Sequence, residues 1–217
     1  MNIFAVNEDP RIAALELPDK LVPKMIVESA QMLSTAHRVL DGDAGADAKG
    51  LYKKAYENHP SCVWVREDAM NYWWLWMHAL TLSEEYKWRF TDETGVAAHK
   101  TVPVIHALQE LPVNIPANKD TSWEVLADLP LCMPDQYKQE GSDHRMYAME
   151  SYQQFVTQDK PYMQDVFKAY TRAITKKSED NTMSSIEYPP QWVTRNATDE
   201  QRKHIDLYKL MNPETAV

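Results

Sequence analysis

Read for its alternation of apolar and polar positions, the chain is dominated by one stretch. Residues 61–90 hold five of the seven tryptophans and run for thirty residues without a Gly or Pro. A surface helix shows one apolar stripe, whereas this stretch is apolar almost all round. The pattern predicts a single central helix covered by neighbours on every side. Ser61, directly after Pro60, is its predicted N-cap, and Gly95 lies just past its far end. The polar interruptions carry the information. At 100° per residue, Glu67, Asn71, His78 and Glu85 fall within about 40° of one another, with Trp74 beside them. Arg66 lies roughly 100° away, with Glu84. Such a seam is either a satisfied core network or the wall of a pocket.

The same reading places shorter elements on both sides. Residues 1–6 alternate weakly and predict a short strand or an extended segment tucked into the core. Asp9-Pro10 reads as N-cap and N1 of a helix to about Leu17. A longer helix spans 19–40, with Pro23 tolerated in its first turn. Its apolar stripe is Leu21, Met25, Met32, Ala36 and Val39, widened by Val22, Ile26 and Leu33. Glu28 sits on the edge of that stripe with Lys24 one turn before it. A surface ion pair has the same spacing. Residues 41–50 predict a small-residue acidic loop, 51–58 a short helix or turn, and 95–110 a helix kinked or restarted at Pro103. His99 and His106 share a face there, but no third ligand at helical spacing makes them a metal site.

Four prolines between 111 and 142 predict a long irregular segment that is functional or wraps the core. Helices are predicted at 144–156 and 161–177. On the second, Lys168, Arg172 and Lys176 stand at i, i+4 and i+8 beside Phe167 and Tyr170. No other basic stripe is flanked by aromatics, which makes it the candidate nucleic-acid contact. Residues 178–197 read as loop and 198–211 as a short charged helix. The expected architecture is therefore all-α: one compact helical domain over 1–177 around a buried Trp-rich helix. Residues 178–217 pack on or extend from it.

Charge and composition narrow the function. Five glycines in 217 residues disfavour Gly-rich phosphate loops, and neither Walker, GxGxxG, HExxH, GxSxG nor zinc-deaminase patterns occur. No cofactor and no metal are expected. Cys62 and Cys132 match no paired motif and read as free thiols of a reducing compartment. MNIFAVNEDP lacks the basic start and apolar run of a signal peptide, and no 18-residue apolar segment suits a membrane. The net charge of −9 argues against simple coating of duplex DNA, though not against a local basic face.

Three blocks carry a resemblance. The run from NIF through DP, AA and DK to ESAQMLSTAH, the pair NHPSCVWVRE and NYWWL, and MPDQYK resemble small proteins widespread in tailed bacteriophages. The similarity covers about residues 2–155. More remotely, the layout is similar to the pyrimidine-dimer DNA glycosylases of the phage endonuclease V type. Some phage proteins of this flavour are thymine-modifying α-glutamyl/putrescinyl pyrophosphorylases. The glycosylase resemblance implies a compact, all-helical, cofactor-free enzyme whose chain begins at the active site. In that family an Asp precedes the catalytic Glu by nine residues, as Asp19 precedes Glu28 here. The nucleophile there is a threonine amine exposed by removal of the initiator Met. Here residue 2 is Asn, whose bulk is expected to keep Met1 in place. Leu21 stands where the phage relatives carry His.

Excising a base needs a carboxylate beside the sugar C1′ and, in glycosylase–lyases, an amine that forms a Schiff base. An α-amino group titrates near 7.7 and is partly neutral at cellular pH without special help. The extruded base would stack on Trp64, Trp74 or Trp123. The expectation is thus a DNA base-processing enzyme, excising or modifying a pyrimidine in the cytoplasm of an infected host cell. Glu28, His78 and Arg66 are its catalytic candidates, and Asn71, Trp74, Glu67 and Lys24 its substrate contacts. The competing reading is a catalytically silent acidic relative that binds a host or defence protein.

Overall fold

Two long helices form the spine. α2 (Leu21–Leu40) and α5 (Ala69–Phe90) run antiparallel. Asp19, just ahead of α2, meets Arg89 near the end of α5 at 3.3 Å, and His37 meets the Tyr72 hydroxyl near its start at 3.0 Å. Met25, Met32 and Leu33 of α2 and Leu75, Ala79 and Leu82 of α5 are fully buried in one apolar core. Each buried Leu or Met side chain contributes about 1.5–3 kcal/mol by leaving water. The computed structural model describes the backbone of residues 1–120, 122–179 and 188–211, and their side chains except at 122, 123, 178, 179 and 207–211. The Trp123 ring, most of the 178–187 segment and the last residues of the chain lie outside that description.

The stretch expected as one helix is two. α4 (Pro60–Glu67) ends at Asp68, which is extended with φ −154° and ψ 144°, and α5 starts one residue later. Aspartate competes with helical hydrogen bonding and favours caps. The Asp68 carboxylate accepts from the Met70 N–H at 2.8 Å and from the Asn118 and Lys119 N–H groups at 2.7 and 3.1 Å. The proline-rich segment is thereby latched onto the break, and Pro116 accepts the Ala69 N–H at 2.7 Å. The cap of α4 is His59, with Pro60 in its first turn, rather than Ser61. Nor is α5 covered all round. Trp74 is 1% exposed, but Trp73 is 36% exposed.

Smaller elements close the core. α1 (Pro10–Leu15) is capped by Asp9, as expected, and α3 (Asp43–Ala48) forms within the acidic segment read as a loop. α6 (Val102–Ala107) is shorter than expected, because the helix begins only after Thr101 with Pro103 in its first turn. Within the proline-rich segment there are 3-10 turns at Ser122–Asp128 and Asp135–Tyr137. α7 (His144–Asp159) follows.

The helix expected over 161–177 is broken into a 3-10 turn, Pro161–Gln164, then α8 (Val166–Ala169) and α9 (Thr171–Glu179). Asp165 caps α8, and the Asp19 carboxylate accepts the Arg172 N–H at 2.9 Å at the start of α9. Lys168 therefore lies on one short helix, and Arg172 and Lys176 on another. α10 (Gln191–Asn196) and α11 (Asp199–Met211) complete an all-helical fold with no strand among the described residues. No helix among them is long and apolar enough to cross a membrane.

The N-terminal segment threads this core as extended chain. Ile3, Phe4, Ala5 and Val6 are at most 2% exposed. The Phe4 ring packs edge-on to Tyr152 and stacks on Phe155, and the Gln153 amide donates to the Val6 carbonyl at 2.8 Å. Burying four successive side chains fixes where residues 1 and 2 emerge.

Candidate active site

They emerge at Glu28. The Asn2 backbone N–H donates to Glu28 Oε2 at 2.9 Å, and Lys24 Nζ lies 3.5 Å from Oε1. The Glu28 side chain is 17% exposed, so it is neither sealed in the core nor open to bulk solvent. Asn2 is pinned on two further sides. Its amide donates to the Cys132 carbonyl at 2.8 Å and accepts the Ile3 N–H at 2.8 Å. A carboxylate on a rigid helix thus holds the start of the chain in one position.

The facing wall is the beginning of α4. Cys62 donates its thiol proton to the Met1 sulfur at 3.6 Å, and Ser61 Oγ sits 3.4 Å from Cys132 Sγ. His59 Nδ1 accepts the Ser61 N–H at 3.2 Å, which leaves Nε2 as its other donor or acceptor. Burial lowers the His59 pKa, the nearby α-amino charge of Met1 lowers it further, and Glu28 acts in the opposite sense. Burial raises Cys62 to about 11, against the charges of Arg66 and the α-amino group, so it is a thiol at neutral pH. The constellation is a carboxylate, an α-amino group, a neutral imidazole and two sulfhydryls, assembled from four separate segments.

The structure brings together some of the residues expected from sequence and parts others. Lys24 and Glu28 are paired. Arg66 stands one turn beyond Cys62, donating to the Glu57 and Cys62 carbonyls at 2.6 and 3.0 Å, so it braces the entry to α4. Glu67 is exposed at the end of α4. The Asn71 amide is spent on the Trp64 carbonyl and on Lys119, each at 2.8 Å. His78 is fully buried, stacks on Trp74 with centroids 5.2 Å apart, and neither ring nitrogen finds a hydrogen-bond partner. Burial drives its pKa down to about 3, so the ring is neutral.

Trp64 and Trp74 are core residues whose indole N–H groups go to Asp128 and to the Glu8 carbonyl. Both are about 1% exposed, so neither offers a face for a base to stack on. The seam along α5 is therefore satisfied at Asn71 and Glu85, and left orphaned at His78. Asp19 also has a structural part, holding Arg89 and the Arg172 N–H.

Sequence reasoning did not assign Asn2, His59, Cys62 or Cys132 to the site. The NHPSC run was the available signal for two of them, since a His cap followed by a Pro fixes a helix start. Nothing local marked Cys132, which reaches Asn2 across 130 residues. Arg172 lies over the Phe90 ring at 4.2 Å, and both Arg172 and Lys176 act on Asp92, lowering its pKa after the larger effect of Thr94. Among the described residues no cluster of three or more His, Cys, Asp or Glu is arranged to hold a metal ion.

Residues 1–96 match the family of pyrimidine dimer DNA glycosylases. No curated protein and no solved structure matches the chain. The matched region takes in Asn2, Lys24, Glu28, His59 and Cys62, and stops before Cys132 and the 161–177 segment. Similarity to that family therefore covers most of the constellation built above.

Proposed function

We propose that this chain processes a pyrimidine base in DNA without a cofactor, most simply by excising it, with Glu28 as the acid–base carboxylate. The observation that carries the reading is the 2.9 Å hydrogen bond from the Asn2 N–H to Glu28. It sets the α-amino group one residue from a half-buried carboxylate. In the reaction the neutral amine attacks the sugar C1′, and the C1′–N bond breaks with its electron pair leaving on the base. The amine proton passes to Glu28, which returns it to the ring oxygen as the C1′–O4′ bond breaks, leaving a 4′-hydroxyl and a protonated Schiff base; the departing base takes its proton from water. Lys24 holds the carboxylate from its solvent side, and in this reading neutral His59 relays a proton. A mobile extrahelical base would enter beside residues 1 and 2, since the tryptophans of the core are closed to it.

The similarity of residues 1–96 to pyrimidine dimer DNA glycosylases supports the substrate class. The setting that fits is the cytoplasm of a phage-infected cell, where damaged or modified pyrimidines are processed. Borohydride trapping on oligonucleotides with a pyrimidine dimer or an abasic site tests the reaction. The expected product is a covalent adduct whose mass maps to residue 1. An adduct on Lys24 would reassign the nucleophile. No adduct and no strand product from any pyrimidine substrate would sink the excision reading.

A further inference from the structure

A second charged cleft lies at the start of α2. It measures about 260 Å³ and is lined by Asp19, Lys20, Tyr162, Asp165 and Lys168 among others. Its carboxylates are already used. Asp19 Oδ1 faces Arg89 at 3.3 Å, its Oδ2 accepts the Arg172 N–H at 2.9 Å, and Asp165 accepts the Lys168 N–H at 3.0 Å. Its cations are not. Among the described residues neither Lys20 nor Lys168 has a carboxylate partner, and Lys20 Nζ lies 5.5 Å from the Tyr162 ring centroid. A cleft whose acids each hold a protein donor, and whose two ammonium groups lack a carboxylate partner, favours an anion.

Its position says which anion. Lys20, Lys24 and Glu28 stand at i, i+4 and i+8, and each step rises about 6 Å while turning only about 40°. Lys20 therefore sits about 12 Å along the axis of α2 from Glu28 and about 80° round it. A DNA strand carries one phosphate per roughly 3.4 Å of helix axis, so a strand engaged at Glu28 and lying along α2 passes over Lys20. Lysines act as phosphate ligands through charge rather than fixed geometry, which suits a moving backbone. We propose that Lys20 and Lys168 form a phosphate subsite for the DNA strand held at Glu28. The inference rests on the excision reading. It also moves Lys168 from a stripe with Arg172 and Lys176 to a cluster with Lys20.

The test is the salt dependence of binding by the full chain to a duplex containing a tetrahydrofuran abasic analogue, followed by fluorescence anisotropy between about 20 and 200 mM salt, where counterion release is read as a log–log slope. Lys20→Gln with Lys168→Gln should make the slope shallower by about 1.8, two phosphates at about 0.9 each. Lys100→Gln, an exposed lysine elsewhere, should leave it unchanged. An unchanged slope in the double variant overturns the subsite, and intact turnover in the same variant shows that the excision reading survives it. No binding by the wild type at about 20 mM salt, where screening is weak, removes both. Inorganic phosphate that raises the Tm of the wild type but not of the double variant, with equal DNA slopes, would assign the cleft to a free phosphate and overturn the strand assignment.

Discussion

Asp19 and Glu28 stand nine residues apart at and along the same helix, yet their surroundings give them opposite parts. The Asp19 carboxylate is engaged on both oxygens, by Arg89 and by the Arg172 N–H. Arg89, with a fully buried side chain, donates to Glu85 at 2.7 Å, to the Leu17 and Leu15 carbonyls at 2.6 Å each, and to Asp19 at 3.3 Å. That network ties the end of α5 to the turn between α1 and α2. Around Glu28 the carboxylate holds one backbone N–H and a lysine that is 59% exposed, and part of it still meets solvent. A buried ion network resists rearrangement, whereas a half-open carboxylate can exchange partners with a substrate. The same residue class at the same spacing is thus structural at one end and available for chemistry at the other.

The sharpest way to break this contrast is Glu28→Gln. If Glu28 is the acid–base group, turnover on a dimer-containing oligonucleotide should fall by about 10²–10⁴-fold, the usual contribution of a placed general acid or base. Its melting curve should match the wild type, because the amide still accepts from Asn2. A variant that unfolds instead would put Glu28 on the structural side. The converse change is Arg89→Met. Removing one partner of a buried charge pair leaves the other uncompensated, and the expected loss is about 3–5 kcal/mol in urea unfolding. A loss under about 1 kcal/mol would mean the network contributes little beyond a surface pair.

Next in size is a pH effect from His78. Burial holds its pKa at about 3 in the fold. The unfolded chain takes up that proton near 6.5 and therefore binds more protons between about 3 and 6.5. Stability from the neutral ring is complete above about 6.5 and is lost as pH falls through that window, by at most about 1.4 kcal/mol per pH unit. His37, also lowered by burial, adds the same sign. Glu85 and Asp19, raised mainly by burial, act oppositely, because the fold binds their protons first as pH falls. Unfolding at pH 7, 6 and 5 should show His78→Leu with a flatter dependence than the wild type by about one proton. Equal slopes would assign the effect to other groups.

Much of this was legible before any coordinates. The Asp9-Pro10 cap, the apolar stripe of α2 and the Lys24–Glu28 spacing are local patterns, and local patterns decide local structure. The break at Asp68 was missed because a run free of Gly and Pro outweighed a single capping aspartate. That aspartate prevails only when Asn118 and Lys119 add their N–H groups from fifty residues away. The candidate site was half legible for the same reason. Glu28 shows on a helical wheel, but its neighbours Asn2, His59 and Cys132 come from segments whose approach depends on the buried path of residues 3–6. His78 and Asn71 share a face with each other, and a shared face does not say whether it looks into a cleft or into the core.

The smallest expected effect separates two adjacent tryptophans. Neighbours on a helix point about 100° apart, so one of the pair can be core and the other surface. A stretch apolar almost all round implies that both are core, yet the two differ. At 36% exposure Trp73 is only partly covered, and it lines a cleft with Arg11 and Arg145. Losing that partial burial in Trp73→Ala should cost about 1–2 kcal/mol. Trp74→Ala removes a sealed indole and its 2.8 Å bond to the Glu8 carbonyl, so it should cost about 3–5 kcal/mol. Measured side by side in urea, Trp74→Ala should cost the more, by at least about 1 kcal/mol. Equal losses would show that Trp73 is covered in solution by something that packs on this face, and the outward aspect of α5 would have to be redrawn.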